Sequence, residues 1–113
     1  CILILGCTTG HDLEGLVAQA AALTPALVLA APSRHPRAIP PTTVAGALRS
    51  FGLATREVGT VAEAIREALR LAKPEDLILV TGSLFTVAEA REHLLGIPGE
   101  VYPEIQKDIL TPR

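Results

Sequence analysis

A chain of 113 residues is enough for one domain with a single buried core. Its formal net charge of −2 excludes the electrostatic footprint of a nucleic-acid or anionic-membrane binder, and no apolar run reaches the roughly 18 residues of a membrane span. The 49% hydrophobic content comes chiefly from Ala, Leu and Val, with aromatic rings at Phe51, Phe85 and Tyr102, a composition suited to helices packed on a sheet.

The chain opens on Ile2 to Leu5, an apolar run with the pattern of a strand buried on both faces. It breaks at Gly6-Cys7-Thr8-Thr9-Gly10-His11-Asp12, whose glycines and threonines predict a ligand-facing turn. Asp12 then caps a helix with Leu13, Leu16, Val17, Ala20 and Leu23 on its apolar stripe, ending before Pro25. Leu27 to Ala30 is a short strand. From Ala31 to Pro41 runs a proline-stiffened loop in which Arg34 and Arg37 flank His35, and solvent exposure is expected for it.

Pro41 or Thr42 begins the next helix, with Val44, Ala47, Leu48 and Phe51 inward and Gly52 as its stop. Arg56 to Val58 is a weak strand. Thr60-Val61-Ala62-Glu63 reads as a capping box opening a helix with Val61, Ala64, Ile65, Ala68, Leu69 and Ala72 on one face and Glu63, Arg66, Glu67 and Arg70 on the other. After Lys73-Pro74-Glu75, Leu77 to Val80 is an apolar strand of the doubly buried kind. Thr81-Gly82-Ser83 turns sharply into a helix capped by Ser83, whose stripe is Leu84, Val87, Ala88, Ala90, Leu94 and Leu95. Beyond Gly96 a turn at Ile97-Pro98-Gly99 and a helix over 103–110 begun by Pro103 are expected. Strands alternating with helices at this spacing define an α/β domain with a parallel sheet.

Turns at the carboxyl ends of parallel strands are where open α/β sheets bind ligands, and a helix N-terminus there favours an anion by roughly 0.3–1 kcal/mol, up to about 2 when partly buried. Thr81, Gly82 and Ser83 are therefore candidate anion contacts; the alternative is that Thr81 and Ser83 only cap the helix. His93, one turn after Glu89, reads as half of a surface pair. Cys1 and Cys7 are read as reduced, core-facing thiols of a cytoplasmic protein. No cysteine and histidine spacing suggests a metal site. With no Met and no leader pattern, the chain reads as a piece of a longer protein.

Val80-Thr81-Gly82-Ser83-Leu84-Phe85 followed by Val87-Ala88-Glu89-Ala90-Arg91 resembles the last strand and helix of folylpolyglutamate and dihydrofolate synthases, members of the Mur ligase superfamily. The likeness extends over residues 1–96. Gly6 to Asp12 stands where the family has a small-residue turn with Asp-Lys-Asp, His11 taking the Lys position, and Pro36-Arg37-Ala38 meets its Pro-Arg-Ala.

The resemblance implies a Rossmann-like three-layer domain with a mostly parallel sheet flanked by helices, of the Mur ligase C-terminal type. Residues 1–96 would form it, without its first strand and helix, and 97–113 a tail. It implies ATP-dependent ligation of glutamate to dihydropteroate or folyl-polyglutamate through an acyl phosphate, with ATP and Mg held mainly by parts outside this chain. The chain has neither a Gly-Lys-Ser/Thr phosphate loop nor the Asp-Gly-Ala-His-Asn-Pro motif of the family, so alone it should be inactive. Implied partners are glutamate, the folate or dihydropteroate substrate and the N-terminal ATP-binding domain of the same polypeptide, in a monomeric cytoplasmic enzyme.

By that resemblance Ser83, with Gly82 and Thr81, meets a glutamate carboxylate. His11 is a second contact, weakened because neutral imidazole offers one donor where the family has Lys. Arg34, His35 and Arg37 are lesser candidates for a phosphate or folate glutamate. The competing readings are a stand-alone or regulatory α/β module binding a small anion at the 6–12 and 81–84 turns, and a structural domain in which both turns are ordinary caps.

Overall fold

A computed structural model of the chain describes residues 1–96, so the turn expected at 97–99 and the helix expected over 103–110 lie outside the described residues. Strands and helices alternate as β1 (Ile2–Gly6), α1 (Leu13–Ala22), β2 (Leu27–Ala30), α2 (Pro41–Ser50), β3 (Thr55–Glu57), α3 (Val61–Leu71), β4 (Ile78–Gly82) and α4 (Leu84–Leu95). The strands pair in parallel in the order β3-β2-β1-β4. This is the expected α/β architecture, with β3 one residue earlier than its sequence pattern indicates.

Successive side chains of a strand point to opposite faces, so the unbroken apolar run of β1 feeds two cores. Leu3 and Leu5 pack with Val17 and Ala20 of α1 and with Val44, Ala45 and Leu48 of α2. Ile2 and Ile4 pack on the other side with Val61, Ala64, Ile65 and Ala68 of α3 and with Ala90 of α4. Burying each Leu, Ile or Val contributes about 1.5–3 kcal/mol, and the three-layer sandwich of helices around the sheet follows.

The helix starts are local and follow their caps. Asp12 Oδ1 accepts from the Gly15 N–H at 3.0 Å, and Thr60 Oγ1 accepts from the Glu63 N–H at 3.0 Å. The Glu63 carboxylate reaches back to the Gly59 N–H at 3.2 Å, one residue ahead of the usual capping-box partner. Pro41 occupies the first turn of α2, where a missing N–H costs nothing.

Several expectations are corrected. β4 packs toward both cores, Leu79 on one side and Ile78 and Val80 on the other, but it is not fully buried: it lies at the edge of the described sheet, its residues are half-buried, and Leu77 just before it is 63% exposed. Most of the expected apolar stripe of α4 points outward instead, with Leu84, Val87, Leu94 and Leu95 exposed; of that stripe Ala90 is buried, together with Thr86, Glu89 and Glu92. Polar partners explain the orientation. The loop after β2 lies along this helix, where Glu89 accepts from the Arg34 backbone N–H at 2.7 Å and Glu92 from the Arg34 guanidinium at 2.8 Å. Glu89 is thereby an inward residue rather than half of a surface pair with His93. The loop itself is not the solvated segment expected: His35 is buried and stacks on Phe85 at a centroid distance of 4.2 Å. Leu23, Phe51 and Leu69, expected inward, are exposed at helix ends and flanks.

Candidate functional site

The strand order places a change of direction at β1. The crossover through α1 leads to β2 on one side, and the chain later returns through α3 to β4 on the other. At such a switch point the connections leave the two strands in opposite directions and open a crevice beyond their carboxyl ends. A crevice of about 310 Å3 lies there, lined by Cys7, His11, Asp12, Gly15, Leu16, Gln19, Gly82, Ser83 and Leu84.

Gly82, in its lining, makes a close contact with a second glycine. Gly6 and Gly82 are register partners on β1 and β4, and Gly82 has φ of 113°. A Cβ on Gly82 would overlap the Gly6 carbonyl, and one on Gly6 would meet the Thr86 hydroxyl and the Ala31 carbonyl. The Ser83 N–H donates to that same Gly6 carbonyl oxygen at 3.0 Å. Ser83 is buried as the α4 cap, with its Oγ accepting from the Thr86 N–H at 3.2 Å and 3.0 Å from Thr86 Oγ1.

On the opposite wall, Asp12, Gly15, Leu16 and Gln19 follow each other at helical spacing along one face of α1. The N-termini of α1 and α4 therefore both reach the crevice, and their dipoles favour a negative group in it. The Asp12 carboxylate is already engaged in capping. Cys7 is buried and its thiol donates to the Thr8 carbonyl at 3.4 Å. Burial pushes that thiol up, and the nearby Asp12 charge adds to the effect. It is a neutral wall of the crevice, not a thiolate nucleophile.

Of the residues singled out in the sequence, Gly82, Ser83 and His11 meet in this crevice. Thr81 does not line it; it pairs with Leu5 inside the ladder. Arg34, His35 and Arg37 lie on the loop after β2, where Arg34 and His35 brace α4 instead. The Arg37 N–H donates to His35 Nδ1 at 3.1 Å, and its carbonyl accepts from the Thr9 N–H at 2.8 Å, tying this loop to the one after β1. Sequence reasoning did not single out Gln19 or Thr86 for the site. Their only signals are spacing, Gln19 seven residues after Asp12 and Thr86 three after Ser83.

The lining holds neither Lys nor Arg, so its donors suit a single carboxylate better than a triphosphate. Among the described residues no group of three or more His, Cys, Asp or Glu side chains is placed to hold a metal ion, and no helix is long and apolar enough to cross a membrane.

A parallel α/β domain with its crevice at the switch point is the class that this geometry defines. Residues 1–84 match the family model described as Mur ligase, glutamate ligase domain, and the chain belongs to that family. No curated protein sequence matches the chain. A structure of E. coli FolC in complex with DHPP and ADP is similar, with 27% identity, a TM-score of 0.75 and coverage of 84% of this chain and 22% of that one. Mycobacterium tuberculosis folylpolyglutamate synthase complexed with ADP and AMPPCP shares the fold at 23% identity and a TM-score of 0.69, over 88% of this chain and 24% of that one. The chain thus spans about a quarter or less of the length of these two proteins.

Proposed function

We propose that the chain is the glutamate-ligase domain of a folylpolyglutamate or dihydrofolate synthase, formed by residues 1–96, and that its crevice holds a carboxylate of the incoming glutamate. The observation that carries this reading is the place of Ser83. Ser83 lines a switch-point crevice at the N-terminus of α4, beside Gly82 and across from His11. Ser83 supplies the short hydrogen bond, the two helix N-termini supply favourable potential, and His11 supplies a second donor where the family has Lys.

The role of such a domain is positioning. The amine of glutamate has to approach a carboxyl group activated as an acyl phosphate, and fixing glutamate by its carboxylate turns that encounter into an oriented one. The crevice residues do not fit a triphosphate, having neither Lys nor Arg and no Gly-Lys-Ser/Thr loop. ATP and Mg are accordingly assigned to an N-terminal domain of the same cytoplasmic polypeptide, which this domain closes upon, and the chain alone is inactive.

The test is steady-state kinetics of the complete polypeptide with Ser83→Ala. Losing a hydrogen bond to a charged group costs about 1.5–3 kcal/mol, so the KM for glutamate should rise roughly 10- to 100-fold while the nucleotide KM stays put. Unchanged glutamate kinetics would remove Ser83 from the site.

A further inference from the structure

We infer that Thr86 is the positioning residue that aims the Ser83 proton into the crevice, by donating its own hydroxyl hydrogen to Ser83 Oγ. The inference deepens the reading of Ser83 as a carboxylate contact and rests on it. Thr86 lies one turn into α4 with no exposed surface, its Oγ1 and Cγ2 set against the space beside Gly6. Its hydroxyl has no route to water, and its one hydrogen-bond partner among the described residues is Ser83 Oγ at 3.0 Å.

A hydroxyl carries one proton and two acceptor positions. Were Ser83 the donor in this pair, the Thr86 proton would be buried with nothing to accept it, an arrangement that folded proteins avoid. Thr86 is therefore the donor. Ser83 Oγ then accepts twice, from Thr86 Oγ1 and from the Thr86 N–H at 3.2 Å, which fills both of its acceptor positions. The remaining function of Ser83 is its own proton, and the side of the hydroxyl left for it is the crevice lined by His11 and Gln19.

The consequence is selectivity by polarity. A Ser83 held in this way presents a donor only, so it welcomes a carboxylate, which only accepts, and refuses an amide N–H or an ammonium group at the same point. The backbone is locked in the same sense, because the Ser83 N–H is spent on the Gly6 carbonyl. Gly6 leaves room for Thr86, since any side chain at position 6 would displace the Thr86 hydroxyl.

The experiment compares Thr86→Val, Thr86→Ser and Ser83→Ala in the complete polypeptide by steady-state kinetics with glutamate varied. Thr86→Val keeps the shape and removes the proton. The KM for glutamate should rise about tenfold, as expected when a hydrogen bond to a charged group is misdirected, with kcat and the nucleotide KM little changed. Thr86→Ser restores the donor and should return the KM to within about twofold of wild type. The Ser83→Ala/Thr86→Val double variant should be no worse than Ser83→Ala alone, because both changes act through one hydroxyl. Should Thr86→Val fail to fold, Thr86→Ala takes its place with the same expectation.

A Thr86→Val enzyme with wild-type glutamate KM beside a weakened Ser83→Ala enzyme overturns the inference and leaves the proposed function standing. A Ser83→Ala enzyme with unaltered glutamate kinetics overturns the proposed function first. A loss in Thr86→Val that spreads to the nucleotide KM and is not recovered by Thr86→Ser makes Thr86 merely structural, and also overturns the inference.

Discussion

The carbonyl oxygen of Gly6 occupies the place that a Cβ on Gly82 would need, so the two strands flanking the crevice approach each other through glycine alone. Gly82 also has φ of 113°, a region that side chains disfavour. Gly82→Ala is expected to destabilise the domain by about 3 kcal/mol or more, since overlap with backbone cannot be relieved by a rotamer change. Gly46, inside α2 with open space around its Cβ position, is the contrasting case: Gly46→Ala should stabilise by about 0.5–1 kcal/mol. Urea unfolding midpoints of the two variants should move in opposite directions.

Glu89 joins elements 55 residues apart, its carboxylate accepting from the backbone N–H of Arg34 at 2.7 Å. A hydrogen bond to a charged group contributes about 1.5–3 kcal/mol when partly buried, so Glu89→Leu should destabilise by that amount despite adding apolar surface to the helix. Glu89→Gln, which keeps an acceptor of the same reach, should lose less than half as much. The same unfolding measurement decides it. A Glu89→Leu variant of wild-type stability would mean that the contact with the Arg34 loop does not orient α4.

What was legible in the sequence and what was not divide along chain distance. The caps at Asp12, Thr60 and Ser83 rest on hydrogen bonds spanning three residues, and each forms where it was read. The central strand Ile2 to Leu5 was legible because an unbroken apolar run is the pattern of a strand covered on both faces, and helices cover both faces of β1. The same pattern at Leu77 to Val80 marks a strand that is only half-buried, because periodicity carries no information on whether a neighbouring strand is present. The facing of α4 and the burial of His35 were not legible either. Both depend on partners about fifty residues away, Arg34 with Glu89 and His35 with Phe85, and such pairings leave no local signature. The site was half legible: Gly82, Ser83 and His11 follow from turn chemistry and family resemblance, whereas Gln19 reaches the crevice only because α1 packs beside β4's turn.

The α1 cap gives a prediction on the opposite wall of the crevice. Asp12 holds the Gly15 N–H through Oδ1 at 3.0 Å, and Asp12→Ala should cost about 0.5–2 kcal/mol of stability. Asp12→Asn keeps the cap and removes a negative charge from a crevice proposed to hold a carboxylate. Its stability should stay within about 0.5 kcal/mol of wild type, while glutamate affinity in the complete polypeptide should increase, by less at high salt. Titration at two ionic strengths separates this from a packing effect, which salt would leave alone.

Cys7 supplies the pH test. Burial raises its thiol above the ordinary value of 9.0, so the folded state holds the proton more tightly than the unfolded chain. The sign follows from proton counting. The contribution of Cys7 is complete below pH 9.0, where both states are protonated, and falls away as the unfolded thiol ionises and the pH climbs toward the higher folded value. Stability of the wild type should therefore decline above pH 9.0 more steeply than that of Cys7→Ala, with the two curves running parallel below it. Alkylation offers an independent measurement, because the thiolate is the reactive species. Iodoacetamide in native buffer should label the partly exposed Cys1 well before Cys7, and labelling of both at equal rates would contradict the buried, neutral thiol in the crevice wall.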